Sequence, residues 1–363
     1  MPDDSQSRRT GSKARRKFPV HYLGLVLLAL TMAGSSSTPI ALPLRFHVEA
    51  NAFVDQNGKP MVFRGMSAID PIYQRFDDAP GHTLWNEQYY RVMAQWCANI
   101  IRLPILPSSL RNYGMEKTLD TLDQTIAWAA KNKLYVIIDF HSIGWPPEDF
   151  YPPEAPWFST TPKEIMDFWE TISSRYADNN TVAFYELYNE PVTSASYKDY
   201  FGVSTTLDDW LVWKKFMEQI IAGIRTNDPD KIILVGGLQF AYDLSFVANA
   251  PITGKNVAYA THPYSHSKWK NDWKTAFGDL SSQYPVFATE FGYDAGGSPD
   301  DYYNGIPYHQ AIVEYLEEHH ISWAVWNFDA SWAPTLLLDN FTYQPSPAGE
   351  YFRSIMLNLN QCP

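Results

Sequence analysis

Along most of this chain, short apolar runs alternate with amphipathic stretches. A run of four to eight mostly apolar residues suits a strand buried on both faces. Apolar positions three and four apart suit one face of a helix. Runs of the first kind occupy 61–66, 100–103, 135–140, 182–190, 232–235, 257–261, 286–289 and 322–325. Helical spacing predicts helices over 85–97, 119–129, 165–176, 210–224, 244–248, 269–280, 308–318 and 347–359. The third of these has a written start: Thr161-Pro162-Lys163-Glu164 supplies a cap, a first-turn proline and a capping-box glutamate. Ahead of the series, 44–48 and 52–54 read as short strands, with Asp55-Gln56-Asn57-Gly58 as a hairpin turn.

Eight strand–helix units imply a parallel sheet, and eight imply closure. The expected fold is α/β, a (β/α)8 TIM barrel, with the short N-terminal hairpin closing its bottom. An open doubly wound sheet is the structural alternative. No Gly-x-Gly-x-x-Gly turn follows the first strand, so a dinucleotide fold has no support. Residues 41–363 read as one domain, a single barrel, and residues 1–40 as a signal and linker.

The stretch 182–191, Val-Ala-Phe-Tyr-Glu-Leu-Tyr-Asn-Glu-Pro, runs from apolar residues into Asn189-Glu190 and then a proline. Pro191 lacks an amide proton and is expected to end regular pairing. A carboxylate at the end of a buried parallel strand either faces a cleft or is salt-bridged at the surface.

Charge narrows the class of partner. The formal net charge is -12. The first 33 residues carry six basic residues against two acidic ones, a net of +4, so the remainder carries about -16. A body this acidic repels phosphate backbones, which argues against nucleic acid. The basic start ends at Lys17. An apolar stretch over 22–33 and then Gly34-Ser35-Ser36-Ser37 follow. This is the anatomy of a cleaved export signal and is short for a membrane span, although an uncleaved anchor is the alternative. Arg15-Arg16-Lys17-Phe18 has a weak twin-arginine look. The expected location is secreted or periplasmic, with no membrane partner after signal removal and a monomer as the default.

Parallel barrels place their chemistry at the carboxyl ends of the strands. Those ends read Arg102, His141, Asn189-Glu190, His262 with Tyr264, Glu290 and Trp326. Glu190 and Glu290 follow the fourth and seventh strands, and a barrel brings both over one mouth. Paired carboxylates suit glycosidic hydrolysis, where one protonates the leaving oxygen and the other attacks carbon or activates water. His141 and His262 with the glutamates form a rival zinc set. There is no His-Glu-x-x-His helix, and the histidines sit on separate strands, so no metal and no cofactor is expected.

Tyr-Asn-Glu-Pro at 188–191 and Thr-Glu-Phe-Gly at 289–292 resemble the two catalytic motifs of glycoside hydrolase family five, the cellulase family. The resemblance extends to Arg102 in Ile-Arg-Leu-Pro, His141 in Asp-Phe-His, His262 and Tyr264 in Thr-His-Pro-Tyr, and Trp326 in Val-Trp-Asn. It covers about residues 45 to 360. It implies a (β/α)8 barrel and a retaining mechanism, with Glu190 as acid/base and Glu290 as nucleophile. Arg102 and the Tyr264 hydroxyl should favour the charged form of Glu290, leaving the shared proton on Glu190. Asn189 is placed for the sugar 2-hydroxyl, and Trp326 as a stacking floor.

Aromatics make up 15% of the chain, an excess that suits a cleft for flat apolar faces. The connection after His141 is rich in rings and prolines, and Trp145 and Trp157 are cleft candidates there. Trp269 and Trp332 follow other strand ends and are similar, while Tyr73 and Trp85 are weaker. Cys97 ends the first helix and Cys362 follows the last. Both fall at the bottom of a barrel, where a Cys97–Cys362 bridge is expected, with a buried free Cys97 and a frayed tail as the alternative. The expected activity is a retaining endo-β-1,4-glucanase acting on a polysaccharide or oligosaccharide. The alternatives are the same mechanism on mannan, mixed-linkage β-glucan or xyloglucan, and a non-catalytic carbohydrate-binding barrel.

Overall fold

Each of the eight apolar runs supplies a barrel strand, although the first and fourth runs extend beyond theirs. The computed structural model describes residues 43–77, 85–199, 204–265, 273–293, 302–303 and 306–362. The barrel strands are β1 (Arg64–Ser67), β2 (Ile100–Ile105), β3 (Tyr135–Phe140), β4 (Val182–Glu186), β5 (Ile232–Gly236), β6 (Val257–Thr261), β7 (Val286–Ala288) and β8 (Ser322–Val325). They pair in sequence order, all parallel, and β8 closes on β1.

Side chains alternate between the two faces, as strand geometry requires. Ile101, Leu103, Ile138, Phe140, Tyr185 and Val325 point outward into the large cluster shared with the helices. Ile100, Ile137, Phe184, Leu234, Ala260, Phe287 and Ala324 point inward and fill the barrel. Buried on both sides, the strands show no polar face, which is why they read as continuous apolar runs.

The bottom is closed by a three-stranded antiparallel sheet, Phe46–Glu49, Ala52–Asp55 and Pro60–Met61. The third strand extends the expected hairpin. The Phe46 and Phe53 rings enter the barrel floor, with Phe46 4.9 Å from Phe63 and Phe53 5.0 Å from Phe184. Burying each such ring contributes about 1.5–3 kcal/mol. The sheet sits at the amino ends of the strands: the Val48 amide donates to Asn256, just before β6, and the Leu44 amide to Tyr135 at the start of β3.

The fourth strand departs from expectation. It leaves the barrel at Glu186, not Glu190. Glu190–Pro191 instead pairs in parallel with Ile143–Gly144 outside the ring. The Glu190 and Val192 amides donate to Ser142 and Gly144, so Pro191 falls at the position whose amide is not needed. The proline is accommodated within this short pairing and does not terminate it.

The helix expected over 85–97 is Glu87–Gln95, capped by Asn86. A short helix before it, Pro71–Phe76, was not anticipated; its cap is Asp70. The 119–129 pattern lies in a longer helix, Pro107–Lys131, interrupted at Gly114, where φ is +81°. The helix starting at Pro162 carries both capping-box hydrogen bonds. Expected helix 244–248 is a single 3-10 turn, Val247–Asn249. Of 269–280 the described part is a π-helical turn, Lys274–Gly278, running into Asp279–Ser281. Trp269 and the expected signal lie outside the described residues. Among the described residues, no helix is long and apolar enough to cross a membrane.

The last helix, Pro347–Leu359, lies beside the first, and Cys97 and Cys362 are joined with their Cα atoms 4.8 Å apart. Asn360 reinforces the join by donating to the carbonyls of Cys97 and Arg64.

Candidate active site

The site grows out of the inward alternation. Two residues beyond the apolar layer, the same inward positions become Arg102, Asp139, Glu186, His262, Thr289 and Trp326. Every one of these is at most 8% exposed. Arg102 is therefore not at a strand end. It sits in the middle of β2, above Ile100, with its side chain fully buried.

A buried guanidinium must have its donors satisfied. Arg102 Nε donates to Glu186 at 2.7 Å, Nη1 to Glu290 at 2.8 Å, and Nη2 to Asn189 at 2.7 Å. Nη2 also lies 2.9 Å from Asp139. Burial disfavours the cation, but the charges of Asp139, Glu186 and Glu290 outweigh it and raise its pKa.

Glu290 has both oxygens engaged: Oε2 accepts from Arg102, and Oε1 accepts from the Tyr264 hydroxyl at 2.8 Å. Burial alone would raise its pKa. His262, Arg102, His141 and the Tyr264 hydrogen bond overcome that and hold it below the usual carboxylate range. Glu190 is different. Its Oε1 faces His262 Nδ1 at 3.1 Å, and among the described residues no guanidinium is bonded to it. Burial raises its pKa, the Glu290 charge adds to this, and the His262 contact opposes without reversing it. Two neighbouring glutamates are thus pushed apart in acidity.

His262 Nε2 lies 3.1 Å from the Thr289 hydroxyl oxygen, which donates to Glu186 at 2.6 Å. Burial would lower the His262 pKa, but Glu290, Glu186 and Glu190 raise it to about 9. His141 Nδ1 donates to Asp139 at 2.7 Å, leaving Nε2 for the cavity. Its ring stacks on Trp326 at 5.4 Å, inclined by 2°.

One oxygen each of Glu190 and Glu290 and a ring nitrogen of His262 lie within 4.8 Å of one another. These three are a donor set that a divalent cation could use. The proton favoured on His262 competes with that use.

A cavity of about 490 Å³ opens beside His141 and Trp326. Its walls carry Tyr73, Tyr113, Trp157, Phe158 and Trp332, with Asp77 and Asn112 as polar groups. Trp157 stands on its rim, 48% exposed. Ser142 fixes this wall by donating to the Phe158 carbonyl at 2.6 Å. Trp145 is not a cleft wall. It is buried and stacks on Trp213 at 5.3 Å, anchoring the loop from beneath. Trp85 packs on Trp128 at 4.7 Å, away from the cavity lining.

The structure thus gathers Arg102, His141, Asn189, Glu190, His262, Tyr264, Glu290 and Trp326 around one centre. Asp139, Glu186 and Thr289 were missed. A signal for Glu186 was present, since it is the one charge inside an otherwise apolar run.

Residues 54–331 match the cellulase family, glycosyl hydrolase family 5.

The chain belongs to glycosyl hydrolase family 5.

Among family members, it is 30% identical over 321 residues to cellulase CelDZ1 of Thermoanaerobacterium sp, covering 83% of this chain and 77% of that protein. It is 28% identical over 306 residues to endoglucanase E-5 of Thermobifida fusca, covering 81% of this chain. The chain spans 57% of the length of that relative. Among solved structures, β-glucanase SdGluc5_26A of Saccharophagus degradans superposes with a TM-score of 0.77 at 34% identity, covering 88% of this chain and 94% of that one. A further structure of that β-glucanase is a complex with cellotetraose.

Proposed function

We propose that this family 5 member is a retaining endo-β-1,4-glucanase that uses Glu190 as acid/base and Glu290 as nucleophile. The observation that carries the assignment is the unequal treatment of the two glutamates. Glu290 is held ionised by Arg102 and Tyr264, one on each oxygen. Glu190 meets neither and is driven towards its protonated form by burial and by Glu290.

The reaction follows from that asymmetry. Glu190 gives its proton to the glycosidic oxygen as the bond to the anomeric carbon breaks. Glu290 forms a bond to that carbon from the opposite face, and the first sugar leaves as an alcohol. The ester carries no charge, so the repulsion on Glu190 is relieved. Glu190, now a carboxylate, takes a proton from water as the water oxygen attacks the anomeric carbon and Glu290 departs. Two inversions give net retention. One oxygen of Glu190 lies within 4.8 Å of one oxygen of Glu290, a close approach that supports the retaining spacing of about 5–5.5 Å between carboxyl groups over the roughly 6.5–9.5 Å that inversion needs to admit a water. Asn189, with its Oδ1 held by Arg102, can turn its amide donors to the sugar 2-hydroxyl.

The cellulase and endoglucanase relatives favour a β-1,4-glucan. The β-glucanase likeness favours a second reading in which mixed-linkage glucan is also cut. A product profile of the purified protein on carboxymethylcellulose, mixed-linkage glucan, mannan and xyloglucan decides between them. Shortened glucan chains with retained anomeric configuration are expected. Cleavage of mannan alone, or inverted products, would overturn the reading. Export fits the same function. It is supported by the basic-then-apolar start and by the Cys97–Cys362 disulfide, a bond that persists in oxidising compartments. Fractionation of cells expressing the full chain tests it, with activity expected outside the cytoplasm.

A further inference from the structure

Behind Glu190 stands a file of three side chains from three different strands: His262 after β6, Thr289 after β7 and Glu186 on β4. All three are buried, Glu186 and Thr289 completely so. Their hydrogen-bond directions are fixed by counting protons. Glu186 is an ionised acceptor, because Arg102 Nε donates to its Oε2 at 2.7 Å. Burial opposes that ionisation, but Arg102 and the His262 contact hold its pKa down. The Thr289 hydroxyl owns one proton and lies 2.6 Å from Glu186 Oε1, so that proton goes to Glu186. The Thr289 oxygen then has only lone pairs left, and the group 3.1 Å away, His262 Nε2, must carry a hydrogen. The titrating nitrogen of His262 is therefore Nδ1, which faces Glu190 Oε1 at 3.1 Å.

The charge of His262 decides where the acid proton of Glu190 resides. With neutral His262, the proton is drawn to Oε1, between the carboxyl and Nδ1, and points away from substrate. With cationic His262, Nδ1–H donates to Oε1, and the carboxyl proton is left on Oε2, the oxygen His262 does not occupy. Among the described residues, three carboxylates face His262: Glu186 from β4, Glu190 from the loop after it, and Glu290 from just beyond β7. Tyr264, from the loop after β6, donates to Glu290. Arg102 stands behind Glu186 and Glu290.

We infer that Glu186 and Thr289 are positioning residues that keep His262 as the imidazolium, and so place the acid proton of Glu190 on the oxygen that meets the glycosidic bond. The inference rests on the reading of Glu190 as the acid. Neither residue touches substrate; each acts through His262.

The test compares Thr289→Val, Thr289→Ser and Glu186→Gln, reading the pH profile of kcat/KM and the titration of His262 by NMR of ¹⁵N-histidine-labelled protein. Thr289→Val removes the acceptor for Nε2–H and leaves the Glu186 carboxylate without its hydroxyl partner. The His262 titration and the alkaline limb of kcat/KM are both expected to move down by about one pH unit, so that activity above the wild-type limb falls about tenfold while activity near neutrality changes little. Thr289→Ser keeps the hydroxyl and restores both. Glu186→Gln moves both the same way; because it also disturbs Arg102, the valine–serine pair decides the matter if that variant does not fold. A Thr289→Val enzyme with an unmoved His262 titration overturns the inference, whatever its activity. So does a serine variant that behaves like the valine. Failure of the wild type to hydrolyse any β-glucan would instead remove the proposed function, which separates the two.

Discussion

The Tyr264 hydroxyl donates to Oε1 of Glu290 at 2.8 Å, on the oxygen opposite the one held by Arg102. A neutral donor thus shares with a cation the task of keeping one carboxylate ionised. In Tyr264→Phe the ring stays and the hydrogen bond goes. A hydrogen bond to a charged group is worth about 1.5–3 kcal/mol, so kcat/KM should fall about tenfold to a hundredfold. Losing a donor to the charged form raises the Glu290 pKa. In the proposed mechanism Glu290 attacks as the carboxylate, so the acidic limb of the profile should move to higher pH while the alkaline limb stays. A fall in activity with an unmoved acidic limb would count against the role given to Tyr264.

The two glutamates should fail differently. Glu190→Gln loses proton donation, a contribution of about a hundredfold to ten-thousandfold. On an aryl glycoside whose leaving group needs no proton, most of the first step should survive. Glu290→Gln loses the attacking atom and should be inactive on both substrates. Single-turnover measurement with a dinitrophenyl glycoside reads the difference, and equal losses in the two variants would argue against the division.

Trp157 and Trp145 stand twelve positions apart on one loop yet serve different ends. Trp157→Ala removes an exposed face on the cavity rim. It should raise KM on long oligosaccharides several-fold with kcat nearly unchanged and the melting temperature kept. Trp145→Ala empties a buried site stacked on Trp213 and should cost about 3–5 kcal/mol of stability. Urea unfolding and steady-state kinetics on both variants make the comparison; a destabilised Trp157→Ala would show that residue to be packing.

Much of this was legible in the sequence. Strands buried on both faces announce themselves as uninterrupted apolar runs, and β3, β6 and β8 lie where those runs lie. Thr161 and Glu164 mark a helix start by local chemistry alone. Glu190 and Glu290 were readable because they follow apolar runs directly. Asp139, Glu186 and Thr289 were not, because attention to the last residue of a run overlooks the inward position within it. Their meaning depends on which strand faces which, and that is settled only by closure. The Pro71–Phe76 helix was hidden for another reason: at six residues it shows no full period, and its cap, Asp70, also accepts from the Leu106 amide 36 positions away. Trp145 and Trp157 have similar local surroundings, rings and prolines, and only the packing of Trp213 separates them.

The disulfide acts on stability at a distance from the chemistry. Cys97 and Cys362 are 265 positions apart, so the bridge closes a long loop in the unfolded chain. Cys362→Ser should lower stability by about 2–4 kcal/mol. Activity at room temperature should be unchanged, because the join lies beneath the barrel and the glutamates above it. Chemical denaturation with and without reductant measures the loss, and the variant should not respond to reductant.

Strand alternation ties the barrel's folding to its chemistry. In β2, Ile101 and Leu103 pack against helices, while Arg102 between them gathers the carboxylates. A slip of this strand by one residue would send the guanidinium into the hydrocarbon and leave a leucine among the acids. Gly65 guards that alignment on one side, since a Cβ there would stand 1.8 Å from the Ile100 carbonyl oxygen. Strand register is therefore also the wiring diagram of the active centre. A misaligned barrel would keep its hydrophobic content, yet its charges would have nowhere to go. Only the alignment that builds the site leaves the ionic groups paired, so folding and assembly of the catalytic centre are one event.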